Sequence, residues 1–327
     1  MEFQVKILLL SFCITVMLAI CIIPLLRKLK IGQTERDDGP ETHIKKEGTP
    51  TMGGVIIMLG IILSAVGGLV YYLSKEDVMI AKNMLSVLFI TFGFGIIGLI
   101  DDFKKLILKD TKGLKPAYKM FGLIAVSVIY VLYLIKFHNI GTEIIIPFVK
   151  ETITLPDWFY IPFAIFILVA TTNAVNLTDG IDGLASSVTI IIVTFLTVVS
   201  ILFDVKEITV YGSLVIGSSI AFLLFNLHTA KVFMGDTGSL LLGGIISSMV
   251  LYLKIPLILP IIAIVPVIET ISVATQVLYF KKTGKRIFKM APLHHHFELS
   301  GWRESKVVLS FCFVTLVACV IGLLVIV

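Results

Sequence analysis

Four polar residues stand at three-residue intervals in a segment that separates two long apolar runs. They are Asn173, Asn176, Asp179 and Asp182, in Asn173-Ala-Val-Asn-Leu-Thr-Asp-Gly-Ile-Asp-Gly-Leu184. On an α-helix this spacing drifts by about 60° per step, so the first three would share a face. Asp182 would point away unless the helix breaks, and Gly180 and Gly183 provide places to break it. Carboxylates at the edge of an apolar run are costly and usually functional, so we favour a site over a simple polar connection.

A pair of adjacent carboxylates follows the apolar run that ends at Ile100. Asp101 and Asp102 would repel each other unless a cation lies beside them, and Mg²⁺ would supply that cation. The lysines that follow would hold the phosphates that the metal bridges. These are Lys104, Lys105, Lys109, Lys112, Lys115 and Lys119. A solvated helix cap is the alternative for the two aspartates.

A single aspartate, Asp236, lies between two glycines in Met234-Gly-Asp-Thr-Gly238. Glycine lets a ligand approach the backbone, and the carboxylate adds a hard oxygen donor suited to magnesium. An ordinary turn aspartate is the alternative.

Three consecutive histidines, His294, His295 and His296, lie in the last polar loop. On a helix their rings would diverge by about 100° per residue, whereas in an extended segment His294 and His296 would share a side. A zinc site needs ligands that converge with distinct spacing, so contacts to a phosphate or a sugar are the expected role.

Two further features point to a phosphate and to a groove. The loop Thr49-Pro-Thr-Met-Gly-Gly54 follows Lys45 and Lys46 and would present backbone N–H groups to an anion. The alternative is that the two lysines contact lipid headgroups. Glu269 lies three residues after Pro266 within an apolar run, which indicates a kinked helix that lines a cavity. A purely structural role for Glu269 is equally compatible.

The composition places these residues in a membrane protein. Of 327 residues 57% are hydrophobic and 15% charged, whereas a soluble domain has about a quarter charged residues. We predict an all-α polytopic membrane protein with about ten transmembrane helices and a bent ninth helix. The predicted spans are 6–26, 52–73, 84–100, 118–136, 159–175, 184–203, 211–226, 238–253, 256–280 and 305–327.

The distribution of lysine and arginine predicts the orientation of the helices. Twenty lie in the segments 27–50, 101–119, 227–237 and 281–306, and seven lie on the other side. The positive-inside rule then places the first set in the cytoplasm and both termini outside. On the outer side, 143–147 and 152–155 are predicted to form a small hairpin.

One membrane domain is therefore predicted to cover residues 1–327. Its active site is expected to come from the cytoplasmic loops 27–50, 101–119, 173–184, 226–238 and 281–304. Hard carboxylates with many lysines indicate phosphates and magnesium, with a soluble nucleotide and a lipid as the two substrates.

Four segments of the sequence resemble a known superfamily, the polyprenyl-phosphate N-acetylhexosamine-1-phosphate transferases. They are Asn173–Leu184, Leu99-Ile-Asp-Asp-Phe103, Val232-Phe-Met-Gly-Asp-Thr-Gly238 and Pro292-Leu-His-His-His-Phe-Glu298. Within the superfamily, the 49–54 loop and the triple histidine are similar to the phospho-N-acetylmuramoyl-pentapeptide transferases of the bacterial cell membrane.

The resemblance implies roles for individual residues. The implied catalytic residues are Asp101, Asp102, Asp236 and His295, with Asp236 on magnesium. Asn173, Asn176, Asp179 and Asp182 would shape the nucleotide–sugar pocket, and Asn226, Phe233 and Gln276 would contact uridine. Lys46, Lys105, Lys109 and Lys119 would meet phosphate, and His294 and His296 would bind substrate.

The resemblance also implies the reaction and the partners. Phospho-MurNAc-pentapeptide would pass from its UDP form to undecaprenyl phosphate, giving lipid I and UMP for peptidoglycan synthesis. A homodimer is implied, and no nucleic acid partner is expected. Direct attack by the lipid phosphate is favoured because its second pKa is near 6, and a covalent aspartyl intermediate is the rival. A GlcNAc-1-phosphate transferase and a secondary transporter are the alternative functions.

Overall fold

The fold is built almost entirely from long helices. The computed structural model describes residues 2–29, 48–106, 113–138 and 140–326, and within them ten helices have at least 18 residues. The elements are α1 Glu2–Lys28, α2 Gly54–Ser74, α3 Val78–Leu106, α4 Pro116–Lys136, β1 Glu143–Ile145, β2 Thr152–Thr154, α5 Asp157–Thr178, α6 Leu184–Leu202, α7 Lys206–Asn226, α8 Gly235–Tyr252, a 3₁₀ turn Pro256–Ile258, α9 Leu259–Ile262, α10 Ile264–Thr283, α11 Leu293–Glu298 and α12 Glu304–Ile326. The predicted all-α membrane architecture is confirmed.

Helix α8 is the centre of the molecule. By length and composition nine of the described helices are able to cross a membrane, and α8 is the long helix that is not among them. It packs against α2, α3, α5 and α6 and is buried along most of its length. Because protein surrounds it, α8 does not need an apolar surface that suits lipid, and it can carry serines, glycines and Asp236.

Two glycines bring neighbouring helices against the beginning of α8. A Cβ atom at Gly98 of α3 would collide with the backbone carbonyl of Asp236. A Cβ atom at Gly54 of α2 would collide with the backbone of Gly238. The absence of side chains at these two positions allows backbone-to-backbone contact, as is common between packed membrane helices.

Some helices extend beyond the predicted apolar spans, because polar residues continue the helix. Helix α3 begins at Val78, not at residue 84, and continues to Leu106, so Asp101 and Asp102 lie within the helix. Both are buried, which excludes the solvated cap. Helix α5 continues to Thr178, and Gly183 has a φ of 76° in the turn before α6. The helix therefore breaks within the predicted Asn173–Leu184 segment.

The ninth span is broken at Ala263, between the short α9 and the long α10. Pro266 lies in the first turn of α10, where its missing N–H group is tolerated, so the break comes one turn before the proline expected to bend the helix. Helix α10 is the least buried of the nine candidate spans. Its surface is therefore available to lipid on the side away from α5 and α12.

The predicted hairpin is present at the end of α8 that is remote from Asp236. Strands β1 and β2 are antiparallel, with Glu143 opposite Thr154. The Glu143 carboxylate pairs with Lys254 Nζ at 2.7 Å, just beyond the end of α8. The N–H of Phe148 donates to the carbonyl of Val325 at 3.2 Å, near the end of α12.

Candidate active site

Two carboxylates from different helices converge on one lysine at the beginning of α8. The Nζ atom of Lys105 lies 2.6 Å from Asp101 Oδ2 and 2.7 Å from Asp236 Oδ2. Lys119 Nζ lies 3.1 Å from the same Asp236 oxygen and 3.7 Å from Asp101 Oδ2. The backbone N–H of Leu114 donates to Asp101 Oδ1 at 2.6 Å. The helical i, i+4 spacing of Asp101 and Lys105 aligns them, and packing of α3 on α8 brings in Asp236.

Asp102 makes different contacts, with the backbone at the beginning of α8. Its carboxylate accepts the N–H of Asp236 at 3.1 Å, the N–H of Thr237 at 2.8 Å and the hydroxyl of Thr237 at 2.6 Å. The first N–H groups of a helix have no partner within the helix, and α8 has no side-chain cap of its own. Asp102 therefore caps α8 from another helix and fixes the backbone that carries Asp236.

Asn176 holds the second oxygen of Asp236. Its Nδ2 atom donates to Asp236 Oδ1 at 2.7 Å and to Ser239 Oγ at 2.8 Å. Asn173, one turn earlier on α5, donates instead to the carbonyl of Val169 at 2.7 Å. Asn176 is therefore the one of the two predicted asparagines whose amide nitrogen contacts the Asp236 carboxylate. The amide nitrogen of Asn173 donates to a backbone carbonyl of α5 itself.

Asp179 lies in the turn after α5, half-buried and near the other carboxylates. Burial is the largest cause that raises the pKa of Asp179 well above its usual range, and the negative charges of Asp236, Asp102 and Asp182 raise it further. Among the described residues its carboxylate has no ion-pair partner. A cation or a donor group of a substrate would therefore find an acceptor here.

Asp182 belongs to a second cluster, with two residues that sequence reasoning missed. Its Oδ2 atom accepts the N–H of Ala230 at 3.0 Å and lies 3.4 Å from Nδ1 of His228. The same His228 nitrogen lies 3.1 Å from Glu304 Oε2, and the N–H of Asp182 donates to Glu304 Oε1 at 2.6 Å. No spacing in the sequence indicated His228 or Glu304, because the turn after α5, the segment after α7 and the beginning of α12 supply the cluster.

The three histidines lie on the short helix α11, but the expected divergence of their rings is wrong for the first two, because the ring centroids of His294 and His295 are 4.2 Å apart. His294 is fully buried, with Nδ1 3.3 Å from Oε2 of the equally buried Glu269, and its backbone N–H donates to Glu269 Oε1 at 3.2 Å. The ring of His294 also contacts Gly180. His295 Nδ1 lies 3.0 Å from Glu298 Oε2, and Nδ1 of His296 accepts the N–H of Lys289 at 3.1 Å.

The residues predicted to contact uridine all make contacts within the protein. Asn226 is buried; its Oδ1 atom accepts the hydroxyl of Ser186 and its Nδ2 atom donates to the carbonyl of Val232. Phe233 pairs with the 49–54 loop through backbone hydrogen bonds to Pro50 and from Gly53, each 2.8 Å long.

Gln276 contacts the histidine-bearing loop. Its Oε1 atom accepts the N–H groups of Ile287 and Phe288, and its Nε2 atom donates to the carbonyl of Phe288.

The structure thus brings together a subset of the predicted site. Asp101, Asp102, Lys105, Lys119, Asn176 and Asp236 form one connected group, with Asp179 close enough for its pKa to respond. Asp182, Asn226, Gln276 and His294 make their contacts elsewhere. Lys46 and Lys109 lie outside the described residues.

The donor set of this group fits the magnesium expected from the sequence. Asp101 and Asp236 each direct a hard carboxylate oxygen at the same cation, the ammonium of Lys105. The side chain of Lys105 is 36% exposed, whereas those of Asp236 and Asp101 are 15% and 3% exposed, so solution reaches the group mainly through Lys105. Carboxylate oxygens that already share a cation are the ligands that magnesium prefers.

Comparison with known proteins places the chain in a family. A model described as glycosyl transferase family 4 matches residues 84–254, and a phospho-N-acetylmuramoyl-pentapeptide-transferase signature matches residues 46–58. A phospho-N-acetylmuramoyl-pentapeptide-transferase of Acetivibrio thermocellus is 47% identical over 322 residues, which cover 98% of this chain and 94% of the relative. The chain belongs to the phospho-N-acetylmuramoyl-pentapeptide-transferase family.

Other relatives carry the same name. One from Clostridium kluyveri is 48% identical over 316 residues, covering 97% of each chain, and one from Clostridium novyi is 47% identical over 324 residues. The family confirms the resemblance, and the protein is a multi-pass membrane transferase. The region matched by the glycosyl transferase model includes Asp101, Asp102, Asp179, Asp182 and Asp236, and the signature includes the loop 49–54.

Proposed function

We propose that this transferase moves phospho-MurNAc-pentapeptide from its UDP form to undecaprenyl phosphate, releasing UMP and forming lipid I. The observation that carries the proposal is the contact of Asp101 and Asp236 with one ammonium, beside a second lysine. With a divalent cation on its carboxylates, such a group would bind phosphate through its two lysines, and it lies at the lysine-rich end of a helical membrane protein. The names of the relatives specify the sugar peptide.

The lysines are the groups that would bind the donor diphosphate. Lys105 and Lys119 contact carboxylates that a divalent cation would neutralise, so both ammonium groups would then be available to phosphate oxygens. Asp236, with Asp101 beside it, would hold the magnesium ion, which supplies charge neutralisation of the diphosphate and of the departing UMP.

The acceptor needs little activation. A phosphate monoester has its second pKa near 6, so the lipid phosphate is mostly dianionic at neutral pH and is itself a nucleophile. We therefore propose a single displacement, in which Asp101 orients the acceptor or takes its remaining proton. Asp102 would act indirectly, because its carboxylate already accepts three hydrogen bonds at the beginning of α8.

The same proposal fixes the place of the reaction. The site would face the cytoplasm of a bacterial cell, since the lysine- and arginine-rich segments lie at its end of the helices. The nucleotide sugar would enter from solution, and the polyprenyl chain would lie along the exposed surface of α10. A homodimer is part of the proposal through the family resemblance.

The test is reconstitution of the purified protein with UDP-MurNAc-pentapeptide, undecaprenyl phosphate and magnesium. We expect lipid I and UMP in equal amounts, at least 100-fold reduced formation with Asp236→Asn, and no magnesium-induced shift of thermal stability in that variant. Asp204→Asn, at the opposite end between α6 and α7, is the matched control and should behave as the wild type.

The alternative functions have their own outcomes in this experiment. Efficient turnover of UDP-GlcNAc in place of the MurNAc-pentapeptide donor would identify a GlcNAc-1-phosphate transferase. Absence of UMP release, together with movement of a solute across sealed vesicles, would identify a transporter. Trapping of a phospho-sugar on an aspartate would replace the single displacement by a covalent mechanism.

A further inference from the structure

A groove lies at the end of the helices that is remote from Asp236. It is an open groove with a volume of about 900 Å³, bordered by the beginning of α1, the end of α2 and the beginning of α7. Three lysines line it, Lys6, Lys75 and Lys206, one from each of these places along the chain. The proposed reaction does not use this end of the molecule.

The charge of the groove is unusual for its side of the protein. That side has seven lysines and arginines in the whole sequence, and three of them meet here. The two carboxylates in the lining are Glu2 and Asp77, and Lys6 is paired with Glu2 at 2.5 Å. Three positive and two negative charges leave one positive charge, which a singly charged anion would neutralise.

The groove is apolar below the lysines. Phe3 and Tyr71 stack with ring centroids 3.6 Å apart and form one wall. Leu10 and Val70 line the groove further down and are 40% and 62% exposed. At a rise of about 1.5 Å per residue, Val70 lies roughly 7 Å below Lys75 along α2. A polar rim and an apolar floor therefore follow each other along the helix axes.

We propose that this groove binds an anionic phospholipid of the surrounding membrane. The phosphodiester, which carries one negative charge, would lie between Lys75 and Lys206, and an acyl chain would run along Leu10 and Val70. The aromatic wall suits the level of the headgroups, where aromatic side chains are enriched. Basic residues near a membrane surface attract anionic lipids, so two lysines would favour an anionic lipid over a zwitterionic one.

The apolar floor explains why the ligand is a lipid and not free phosphate. Lysines alone would bind any small phosphate, whereas the exposed Leu10 and Val70 match only a ligand with a hydrocarbon chain. Gly67 allows α1 and α2 to pack closely at this depth, since a Cβ atom there would lie 3.0 Å from Leu10. The floor is therefore shaped by direct contact between the two helices.

The experiment measures binding of phosphatidylglycerol to delipidated protein in detergent, by native mass spectrometry and by the shift in thermal unfolding. Wild-type protein is expected to retain phosphatidylglycerol and to gain stability from it, and to gain less from phosphatidylcholine or inorganic phosphate. The double substitution Lys75→Gln and Lys206→Gln should weaken phosphatidylglycerol binding at least tenfold. Lys82→Gln with Lys136→Gln removes the same charge from the same side outside the groove, and it should leave binding within twofold.

Three outcomes would overturn the proposal. They are equal phosphatidylglycerol binding by the two double variants, equal stabilisation by phosphatidylcholine, and full stabilisation by inorganic phosphate alone. Transfer activity is not the readout, so the result is independent of the proposed reaction.

Discussion

Asp101 and Asp102 are adjacent in the chain, yet their carboxylates serve different partners. Asp101 shares the ammonium of Lys105 with Asp236, whereas Asp102 accepts hydrogen bonds from the first residues of α8. Neighbouring residues on a helix point about 100° apart, which is enough to direct one carboxylate to the lysines and the other to the helix end. One residue contributes charge to the site, and the other positions Asp236.

We expect Asp102→Asn to destabilise the protein more than Asp101→Asn. The asparagine amide at residue 102 would direct N–H donors at the N–H groups of Asp236 and Thr237, at a cost of about 1–3 kcal/mol. Asparagine at residue 101 still accepts from Leu114, and Lys105 keeps Asp236. Thermal unfolding measures the difference, and both variants should lose at least 100-fold in turnover.

Thr237→Val is the control for the cap. It removes the hydroxyl that donates to Asp102 and keeps the two backbone donors, so it should cost about 1 kcal/mol and spare most of the turnover. Equal stability of the Asp101→Asn and Asp102→Asn proteins would contradict the separate roles.

The raised pKa of Asp179 predicts that the stability of the folded protein depends on pH. Because its pKa is raised in the folded protein, the folded state binds a proton more tightly than the unfolded state. Stability is then lost as pH rises from the ordinary pKa of 3.8 through the raised value. In the absence of metal, Asp179→Asn should unfold at a higher temperature than wild type at neutral pH, and the difference should shrink towards about pH 4.

The matched control is again Asp204→Asn, which removes an aspartate from the opposite end of the protein. A difference between wild type and Asp179→Asn that is constant with pH would show that the Asp179 carboxyl keeps an ordinary pKa.

At the scale of elements, Glu269 connects the broken ninth span to the histidine helix. It accepts the N–H of His294 near the beginning of α11, and the His294 ring contacts Gly180 in the turn between Asp179 and Ile181. These contacts favour the structural role for Glu269 over the functional one. Its carboxylate is fully buried and holds α10, α11 and this turn together.

Glu269→Ala should therefore destabilise the protein by about 1–3 kcal/mol, because it leaves the buried backbone N–H of His294 without an acceptor. Glu269→Gln keeps an oxygen acceptor and should cost less. Thermal unfolding of the two variants gives the comparison, with UDP-sugar binding as a second readout for the position of the 179–183 turn. Wild-type stability of the alanine variant would refute this connection.

The exposed surface of α10 predicts a separable effect on the lipid substrate. Ile271 is 56% exposed on this helix, where the proposed function places the polyprenyl chain. Ile271→Trp is expected to raise the apparent KM for undecaprenyl phosphate about tenfold, or roughly 1.4 kcal/mol, and to leave UDP-sugar binding unchanged. Ile20→Trp on α1, also exposed, is the control and should change neither. A matching loss of UDP-sugar binding would indicate a general disturbance instead.

At the scale of the whole molecule, charge is distributed unequally between the two ends of the helices. The carboxylate–lysine site lies at the beginning of α8, and the hairpin with its Glu143–Lys254 pair lies beyond the end of α8. The positive-inside rule then predicts a cytoplasmic site and an external hairpin.

Cysteine labelling in intact cells measures this orientation. Lys150→Cys near the hairpin should react with a membrane-impermeant maleimide, and Lys285→Cys after α10 should react only once the cells are permeabilised. The background protein has its four native cysteines replaced, because Cys13 and Cys21 are exposed on α1. The reverse pattern of labelling would invert the topology.

Several features followed from the sequence alone because they depend on local properties. Apolar runs of about 20 residues have few alternatives to membrane helices, so nine of the ten predicted spans correspond to described helices that are able to cross a membrane, and the remaining one corresponds to α8. Strand-forming residues around a turn indicated the hairpin, and glycines indicated the break after α5. The motifs themselves indicated the family. Helix ends were less accurate, as at Val78, because contact with other helices, and not apolarity, decides where a helix stops.

Only the tertiary structure decided which polar residues meet. Asp102 caps a helix 134 residues away, and Asp182 joins His228 and Glu304 instead of Asp179. Periodicity states which residues share one helix face, but it contains no information on which helix faces that side. Backbone contact at Gly54 and Gly98 sets the position of α8. Because of that position, the ammonium of Lys105 lies between Asp101 and Asp236 and not between the adjacent Asp101 and Asp102.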